Sequence, residues 1–123
     1  AFLPAIGVGL LSTAVLHLNN MRDMVNDAQS NKITLANKLG LENSKIYFLM
    51  LILISIVTWS GYLFTQNQVN LYSYLYWIGF LPFIFILFSF FKVKEYKDYD
   101  RLLKPTALST FFISILFFIS QIL

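Results

Sequence analysis

The chain has 123 residues, of which 58% are hydrophobic and 18% aromatic, while only 12% are charged. A soluble domain carries about 25% charged residues, and a fold of this length has too little interior to hide so much apolar surface, so we predict an integral protein of the lipid bilayer. The net charge of +3 comes from few, scattered basic residues, which excludes a nucleic-acid-binding patch, and the lack of cysteine excludes disulfides and thiolate metal sites.

Four apolar segments are long enough to cross a bilayer as helices, since a spanning helix needs about 20 residues, with a range of roughly 17–25. None of the four contains Lys, Arg, Asp or Glu. We therefore predict an all-α, polytopic fold that forms a single transmembrane domain over residues 1–123. The predicted spans are residues 2–18, 46–64, 71–91 and 106–123.

The chain opens on Ala1, inside an apolar run that has no basic segment before it and no small-residue cleavage site after it. This pattern does not fit a signal peptide. Because Ala stands where an initiator Met would be, we expect the chain to be a fragment of a longer protein.

The charges predict how the spans are oriented. All nine Lys and Arg residues lie in connections 19–45 and 92–105, while connection 65–70 has no charge. The positive-inside rule therefore places the two charged connections in the cytoplasm. Aromatic residues on both sides of the uncharged connection predict an interfacial belt at the outer face: Trp59, Tyr62, Tyr72, Tyr74, Tyr76 and Trp77.

The polar residues that follow the first span are spaced for a metal site. If the helix of that span continues to about Gln29, then Asn20, Asp23 and Asp27 stand at i, i+3 and i+7 on one face. The two carboxylates are then one turn apart, roughly 5–6 Å between Cβ atoms. This spacing suits Mg²⁺, which prefers oxygen ligands and is held by one or two carboxylates plus substrate phosphates.

Basic residues beside this face predict an anionic ligand. Arg22 and Lys32 can each contact diphosphate oxygens, and Arg does so in a bidentate fork. The alternative is that the carboxylate pair is a solvated helix face and that both cations only follow the positive-inside rule. His17, in the last turn of the first span, either faces this site or reaches the lipid headgroups.

Two later features have structural alternatives of their own. Pro82 interrupts the third span, three residues after Gly79, and predicts either a kink that opens space for a ligand or a tolerated packing irregularity.

In connection 92–105 the acidic residues alternate with basic ones, which predicts a solvated, salt-bridged surface for Glu95, Asp98 and Asp100.

The polar run after the first span resembles the second aspartate-rich motif of the UbiA-type membrane prenyltransferases, and most of all that of the 1,4-dihydroxy-2-naphthoate polyprenyltransferase branch. That motif reads NN-x-RD-x3-D-x3-GK-x-TLA-x2-LG. Residues 19–40 agree with it except that Asn31 stands at the Gly, and Asn tolerates the left-handed conformation that Gly adopts. The matching residues are Asn19, Asn20, Arg22, Asp23, Asp27, Lys32, Thr34, Leu35, Ala36, Leu39 and Gly40.

The resemblance implies a fold and a reaction. Members of the family have nine transmembrane helices, and the four spans here are similar to helices six to nine, in a bacterial inner membrane with the site facing the cytoplasm. The implied reaction joins a polyprenyl diphosphate to 1,4-dihydroxy-2-naphthoate, with loss of diphosphate and CO2, and gives demethylmenaquinone. By the resemblance, Asp23 and Asp27 hold Mg²⁺-diphosphate, Asn19 and Asn20 assist, and Arg22 and Lys32 contact phosphate or the aromatic carboxylate.

The family builds its site from two aspartate-rich motifs, and the first has no counterpart in these residues. We therefore expect the 123 residues alone to be inactive. A different class remains open: a small non-enzymatic four-helix membrane protein, such as a transporter piece or an assembly subunit. Transporters place ionisable groups near the bilayer midplane, whereas every Asp, Glu, Lys and Arg here lies outside the predicted spans.

Overall fold

The computed structural model of the chain describes residues 2–65 and 71–122, and all regular structure in this part is helical, which confirms the all-α prediction. Two 3-10 helices, Leu71–Phe80 and Tyr96–Tyr99, precede the last two α-helices. The α-helices in chain order are α1 (Phe2–Arg22), α2 (Met24–Gln29), α3 (Leu35–Thr65), α4 (Leu81–Phe91) and α5 (Asp100–Ile122).

Three helical stretches of the described residues are long and apolar enough to cross a membrane: Leu35–Thr65, Tyr74–Phe91 and Tyr96–Ile122. They contain most of the second, third and fourth predicted spans. The helix α1 has 21 residues but carries His17, Asn19 and Asn20 in its last turns, and it is not among the three. The membrane character is thus confirmed, whereas the count of four spans stays a prediction.

The predicted connections are more helical than their polarity suggested. α1 continues to Arg22, α3 begins at Leu35, and α5 begins at Asp100, ahead of the predicted fourth span. The physical reason is that hydropathy marks the part of a helix that needs an apolar environment, while a helix satisfies its own backbone hydrogen bonds beyond that part. The proposed continuous helix to Gln29 is wrong at one residue, Asp23, where φ is −96° and ψ is 9°.

The bundle is centred on α1, which packs along α3 and also contacts α5. Side chains that recur at helical spacing on α1, including Leu11, Ala14 and Leu18, are fully buried. A hydrogen bond from the Ser55 hydroxyl to the Gly7 carbonyl (3.0 Å) joins α1 to α3. Close approach of small residues in this way is a common means of packing helices in membranes.

The aromatic residues near connection 65–70 form an interior cluster rather than only an outer belt. Trp59 and Tyr76 are fully buried, with ring centroids 4.8 Å apart. The Phe117 ring lies 5.1 Å from that of Trp59 and 5.5 Å from that of Tyr62. The enrichment of Trp and Tyr at membrane interfaces concerns their depth in the bilayer and not which side of a helix faces protein. It therefore could not distinguish an interior cluster from an outer belt. Tyr72 lies outside the described side chains.

Pro82 lies in the first turn of α4, directly after the 3-10 helix Leu71–Phe80. The first N–H groups of an α-helix have no partner within the helix, so proline removes nothing there. The interruption is therefore a change from 3-10 to α geometry, and Pro82 is accommodated at that boundary.

Gly40 bends the first turns of α3 away from the rest of the helix, with φ 80° and ψ 171°. This conformation is essentially restricted to glycine. We expect Gly40→Ala to destabilise the full-length protein by about 1–2 kcal/mol because the added Cβ opposes this backbone conformation. Equilibrium unfolding in mixed micelles measures the change.

Gly9→Ala is the matched control for Gly40→Ala, since a Cβ at Gly9 meets nothing within 4 Å and Gly9 lies within α1. Replacing Gly by Ala at an unstrained helical site is neutral or slightly stabilising. Equal unfolding free energies for the two variants would contradict the strain assigned to Gly40.

Candidate functional site

Arg22, the last residue of α1, is the centre of a polar network. Its Nε and Nη2 donate to the two carboxylate oxygens of Asp23 at 2.9 and 3.0 Å, which is a bidentate contact. Nη2 also donates to the Asn19 side-chain oxygen at 2.7 Å, and Nη1 donates to Asp100 at 2.7 Å. The structure therefore joins three predicted site residues, Asn19, Arg22 and Asp23, in one cluster.

The Asp23 side chain is 30% exposed and is held in the ionised form. The hydrogen bond from Arg22 lowers the pKa of Asp23, and the charge of Lys32 acts in the same direction. The contacts with Asp23 and then Asp100 raise the pKa of Arg22. An ionised carboxylate with accessible oxygens is what a hard divalent cation needs as a ligand.

Asp27 keeps its position relative to Asp23 although the helix is interrupted. The Asp27 N–H donates to the Asp23 carbonyl at 2.8 Å, which preserves a one-turn separation along the backbone. Side-chain hydrogen bonds in residues 2–65 and 71–122 do not join Asn20, Asp27 or Lys32 to the Arg22 network. Asp27 and Asn20 are half-buried, and Lys32 is exposed on the turn that follows.

The turn between α2 and α3 brings Lys32 back toward Asp27. Its N–H donates to the Asp27 carbonyl at 2.8 Å, and the preceding residue, Asn31, has a left-handed backbone with φ 60°. Asn31 stands where the resembling motif has Gly, and it adopts the left-handed conformation that Asn was expected to tolerate. A short polar side chain is one of the few that adopt this conformation at small cost.

A cap at the start of α3 fixes the turn. The Thr34 N–H donates to the Asn37 Oδ1 at 3.3 Å, and the Asn37 N–H donates to the Thr34 hydroxyl at 3.4 Å. This is the reciprocal arrangement of a capping box. The Asn37 Nδ2 also donates to the Met24 carbonyl at 2.9 Å, so α2 is tied to α3.

His17 does not face the Arg22 network. It is buried between α1 and α3, its Nε2 lies 3.0 Å from the Ser44 carbonyl, and its ring meets that of Tyr47 edge-on at 4.6 Å. Ser44 in turn donates to the Ala36 carbonyl at 3.2 Å. Of the two positions left open for His17, neither is observed, because it packs the end of α1 onto α3.

Asp100 is the residue that sequence reasoning missed. Its two acidic neighbours form the predicted surface pairs, Glu95 with Lys97 at 3.3 Å and Asp98 with Arg101 at 4.0 Å. Asp100 instead reaches Arg22, which is 78 residues away in the chain. The alternation of charges gave no signal for this contact, because it depends on α5 starting beside the end of α1.

The donor set suits Mg²⁺ better than a metal that needs three or more protein ligands. Groups of three or more His, Cys, Asp or Glu that could hold an ion do not occur in the described ranges. Asp23 and Asp27 offer two carboxylates, and Mg²⁺ takes its other ligands from water and substrate phosphate. Arg22 lies beside Asp23, with its three guanidinium nitrogens directed to Asp23, Asn19 and Asp100.

Comparisons with known proteins agree on one family. The model of the UbiA prenyltransferase family matches residues 1–120. A 1,4-dihydroxy-2-naphthoate octaprenyltransferase from Haemophilus influenzae is 40% identical over a stretch that covers 50% of this chain and 24% of that protein. The protein of the same name from Escherichia coli is 36% identical over 86% of this chain and 31% of that protein.

A third relative, UbiA prenyltransferase domain-containing protein 1 from Dictyostelium discoideum, is 34% identical over 91% of this chain and 32% of that protein. The chain thus spans roughly a quarter to a third of the length of these three relatives. No solved structure matched the chain.

Proposed function

Because the chain belongs to the UbiA prenyltransferase family, we propose that it forms part of an enzyme that transfers a polyprenyl group to 1,4-dihydroxy-2-naphthoate. The observation that carries the proposal is the Arg22 network, which holds an ionised carboxylate one turn from Asp27. The two bacterial relatives named as naphthoate octaprenyltransferases support this acceptor. Family membership also speaks against the non-enzymatic alternative.

The donor substrate is a polyprenyl diphosphate. We assign Asp23 and Asp27 to hold its Mg²⁺-diphosphate head, and Arg22 and Lys32 to contact phosphate oxygens, while Asn19 and Asn20 assist. Bound Mg²⁺ would offset the negative charge that develops on the leaving diphosphate. We assign the same task to Arg22, whose guanidinium would exchange part of its contact with Asp23 or Asp100 for phosphate oxygens.

In the proposed reaction the bond between the allylic carbon and the diphosphate oxygen breaks, and the diphosphate leaves with the electron pair. The electron-rich ring of the naphthoate attacks the cation-like carbon. The ring carboxylate then leaves as CO2, and its bonding electrons restore the aromatic ring. The product of these steps keeps both ring hydroxyls and is therefore the reduced form, a demethylmenaquinol. Demethylmenaquinone follows when a separate oxidant removes two electrons and two protons. We place the reaction in a bacterial inner membrane, with the site on the cytoplasmic face.

The direct test uses the full-length protein in lipid nanodiscs with polyprenyl diphosphate, Mg²⁺ and one of two acceptors, 1,4-dihydroxy-2-naphthoate or a hydroxybenzoate. We expect a prenylated, decarboxylated naphthoate by mass spectrometry, no product after chelation of Mg²⁺, and little product from the hydroxybenzoate. Transfer to the hydroxybenzoate alone would contradict the proposed acceptor. Transfer that persists without divalent cations would contradict the role of Mg²⁺.

We expect the isolated 123 residues to catalyse no transfer, because the family's first aspartate-rich motif, which has no counterpart in these residues, would supply the other part of the site. The same nanodisc assay on the isolated chain checks this, with the full-length protein as the positive control. Product formation by the isolated chain would show that the site described here is sufficient.

Asp100 is proposed as a positioning residue that orients Arg22. In the full-length protein we expect Asp100→Asn to raise KM for the prenyl diphosphate about two- to fivefold, since an exposed ion pair is worth at most about 1 kcal/mol, and to leave kcat nearly unchanged. Asp100→Glu should restore most of the KM. Glu95→Gln, which removes a carboxylate that pairs with Lys97 instead, is the control. Equal KM values for Asp100→Asn and Glu95→Gln would contradict the positioning role of Asp100.

A further inference from the structure

A groove of about 560 Å³ runs between α4 and the start of α5. It lies apart from the candidate site, since none of Asn19, Arg22, Asp23 or Asp27 lines it. Its α4 wall consists of one face of that helix, and its opposite wall comes from the segment that leads into α5. Ser89 lies on the α4 wall, between the apolar and the charged parts of the lining.

The lining divides into an apolar part and a charged rim. Along α4, Pro82, Phe85 and Ile86 offer apolar surface, and Leu102 and Pro105 of α5 face them. Ile86 and Leu102 are buried and form the floor, while the Phe85 side chain is 75% exposed at the outer lip. An aromatic side chain exposed on a membrane helix is apolar surface that needs a hydrocarbon or protein partner.

The rim carries three cations and one carboxylate. Lys92 directly follows α4, Lys94 comes two residues later, and Arg101 lies in the first turn of α5. The carboxylate of Asp98 lies 4.0 Å from Arg101, so it offsets that cation in part. Within the described part of the chain, Lys92 and Lys94 have no carboxylate within 4.0 Å, which leaves the rim with uncompensated positive charge.

We propose that this groove binds an anionic phospholipid, with the phosphate at Lys92 and Lys94 and one acyl chain along Pro82, Phe85 and Ile86. The volume falls within the range of small-ligand sites, about 300–1,000 Å³. Free phosphate is not the ligand that we propose, because it would leave the apolar lining of the groove without a partner. Basic pockets between membrane helices on the cytoplasmic side are a known form of anionic headgroup site.

The geometry also separates this lipid from the reaction. Asp98, Arg101 and Leu102 face the groove, whereas Asp100, between them in sequence, points to Arg22 on α1. The groove and the candidate site therefore occupy two sides of the start of α5. A lipid that fills the groove would hold α4 and α5 together at the end of the bundle that carries Arg22.

The test is native mass spectrometry of the full-length protein released from nanodiscs that contain equal amounts of phosphatidylglycerol and phosphatidylcholine with identical acyl chains. We expect one retained phosphatidylglycerol in excess over phosphatidylcholine. Lys92→Gln with Lys94→Gln should lower the retained phosphatidylglycerol about tenfold, since each of the two basic residues near an anionic headgroup contributes up to about fivefold.

Lys97→Gln with Lys104→Gln is the matched control, because it removes two charges from the same segment at positions that do not line the groove. It should retain phosphatidylglycerol at the wild-type level. Ser89→Phe, which fills the groove without a change of charge, should reduce retention as the double Lys variant does. Equal retention of the two lipids, or equal losses in both double variants, would overturn the proposal. A cross-link from residue 89 to another segment of the full-length protein would overturn it as well, since protein would then fill the groove.

Discussion

Asp23→Asn and Asp27→Asn in the full-length protein are each expected to lower the rate of prenyl transfer by at least about 10²–10³-fold, the size of loss typical when a preorganised charge-stabilising group is removed. The reason is that an amide offers one neutral oxygen where the carboxylate offered a charged ligand to Mg²⁺. Arg22 would then act alone on the leaving diphosphate. Initial rates at saturating acceptor, measured over a range of Mg²⁺ concentrations, provide the readout.

The two Asn variants are suited to this test because they change charge without changing shape. Arg22 still has an oxygen to donate to at position 23, and the backbone bond from Asp27 to the Asp23 carbonyl is unaffected. Glu42→Gln is the control, since Glu42 follows the bend of α3 at Gly40, its side chain is 84% exposed and it pairs with Lys45. Wild-type rates in either Asn variant, with Glu42→Gln also active, would refute the metal role of that carboxylate.

Gly79→Ala is expected to destabilise the full-length protein by about 1–3 kcal/mol, because it inserts a methyl group into a packed contact. A Cβ at this position would lie 2.5 Å from Cγ1 of Ile113 and within 3.3 Å of its backbone. The side chain of Ile113 can rotate, but the backbone of α5 has to move away. Gly79 therefore sets how closely the 3-10 helix Leu71–Phe80 approaches α5.

Equilibrium unfolding in mixed micelles, followed by the fluorescence of Trp59 and Trp77, measures the loss of stability in Gly79→Ala. Gly61→Ala is the matched control, since its Cβ would meet only Leu3, at an ordinary contact distance of 3.9 Å. If Gly79→Ala unfolds at the same denaturant concentration as Gly61→Ala, the close approach to Ile113 does not contribute to stability.

Composition and local pattern were enough for the class of the protein and for part of the site. The uncharged apolar runs identified membrane helices, because burial of backbone in lipid requires helices. The spacing of Asp23 and Asp27 survived the break at Asp23, since the hydrogen bond between their backbones spans it. The left-handed backbone of Asn31 agrees with the expectation that Asn tolerates this conformation where the motif has Gly.

Contacts between distant segments were beyond the reach of local pattern. Asp100 belongs to the Arg22 network only because α5 begins beside α1, and charge alternation around Asp100 predicted a plain surface. Trp59 and Tyr76 are of the residue types that form interfacial belts, yet both pack inside the bundle. In both cases the outcome depended on which face of a helix meets another helix, which the sequence pattern alone leaves undetermined.

The contact between Arg22 and Asp100 also bears on the order of events during biosynthesis. Asp100 follows Arg22 by 78 residues in the chain. The ribosome therefore synthesises Arg22 well before it synthesises this third acceptor of the guanidinium. Contacts of long sequence separation form late, after the loop between them has closed. The Arg22 cluster is therefore complete only when α5 docks, so an assembly intermediate in which α5 is not yet docked has the contacts to Asp23 and Asn19 but lacks the contact to Asp100.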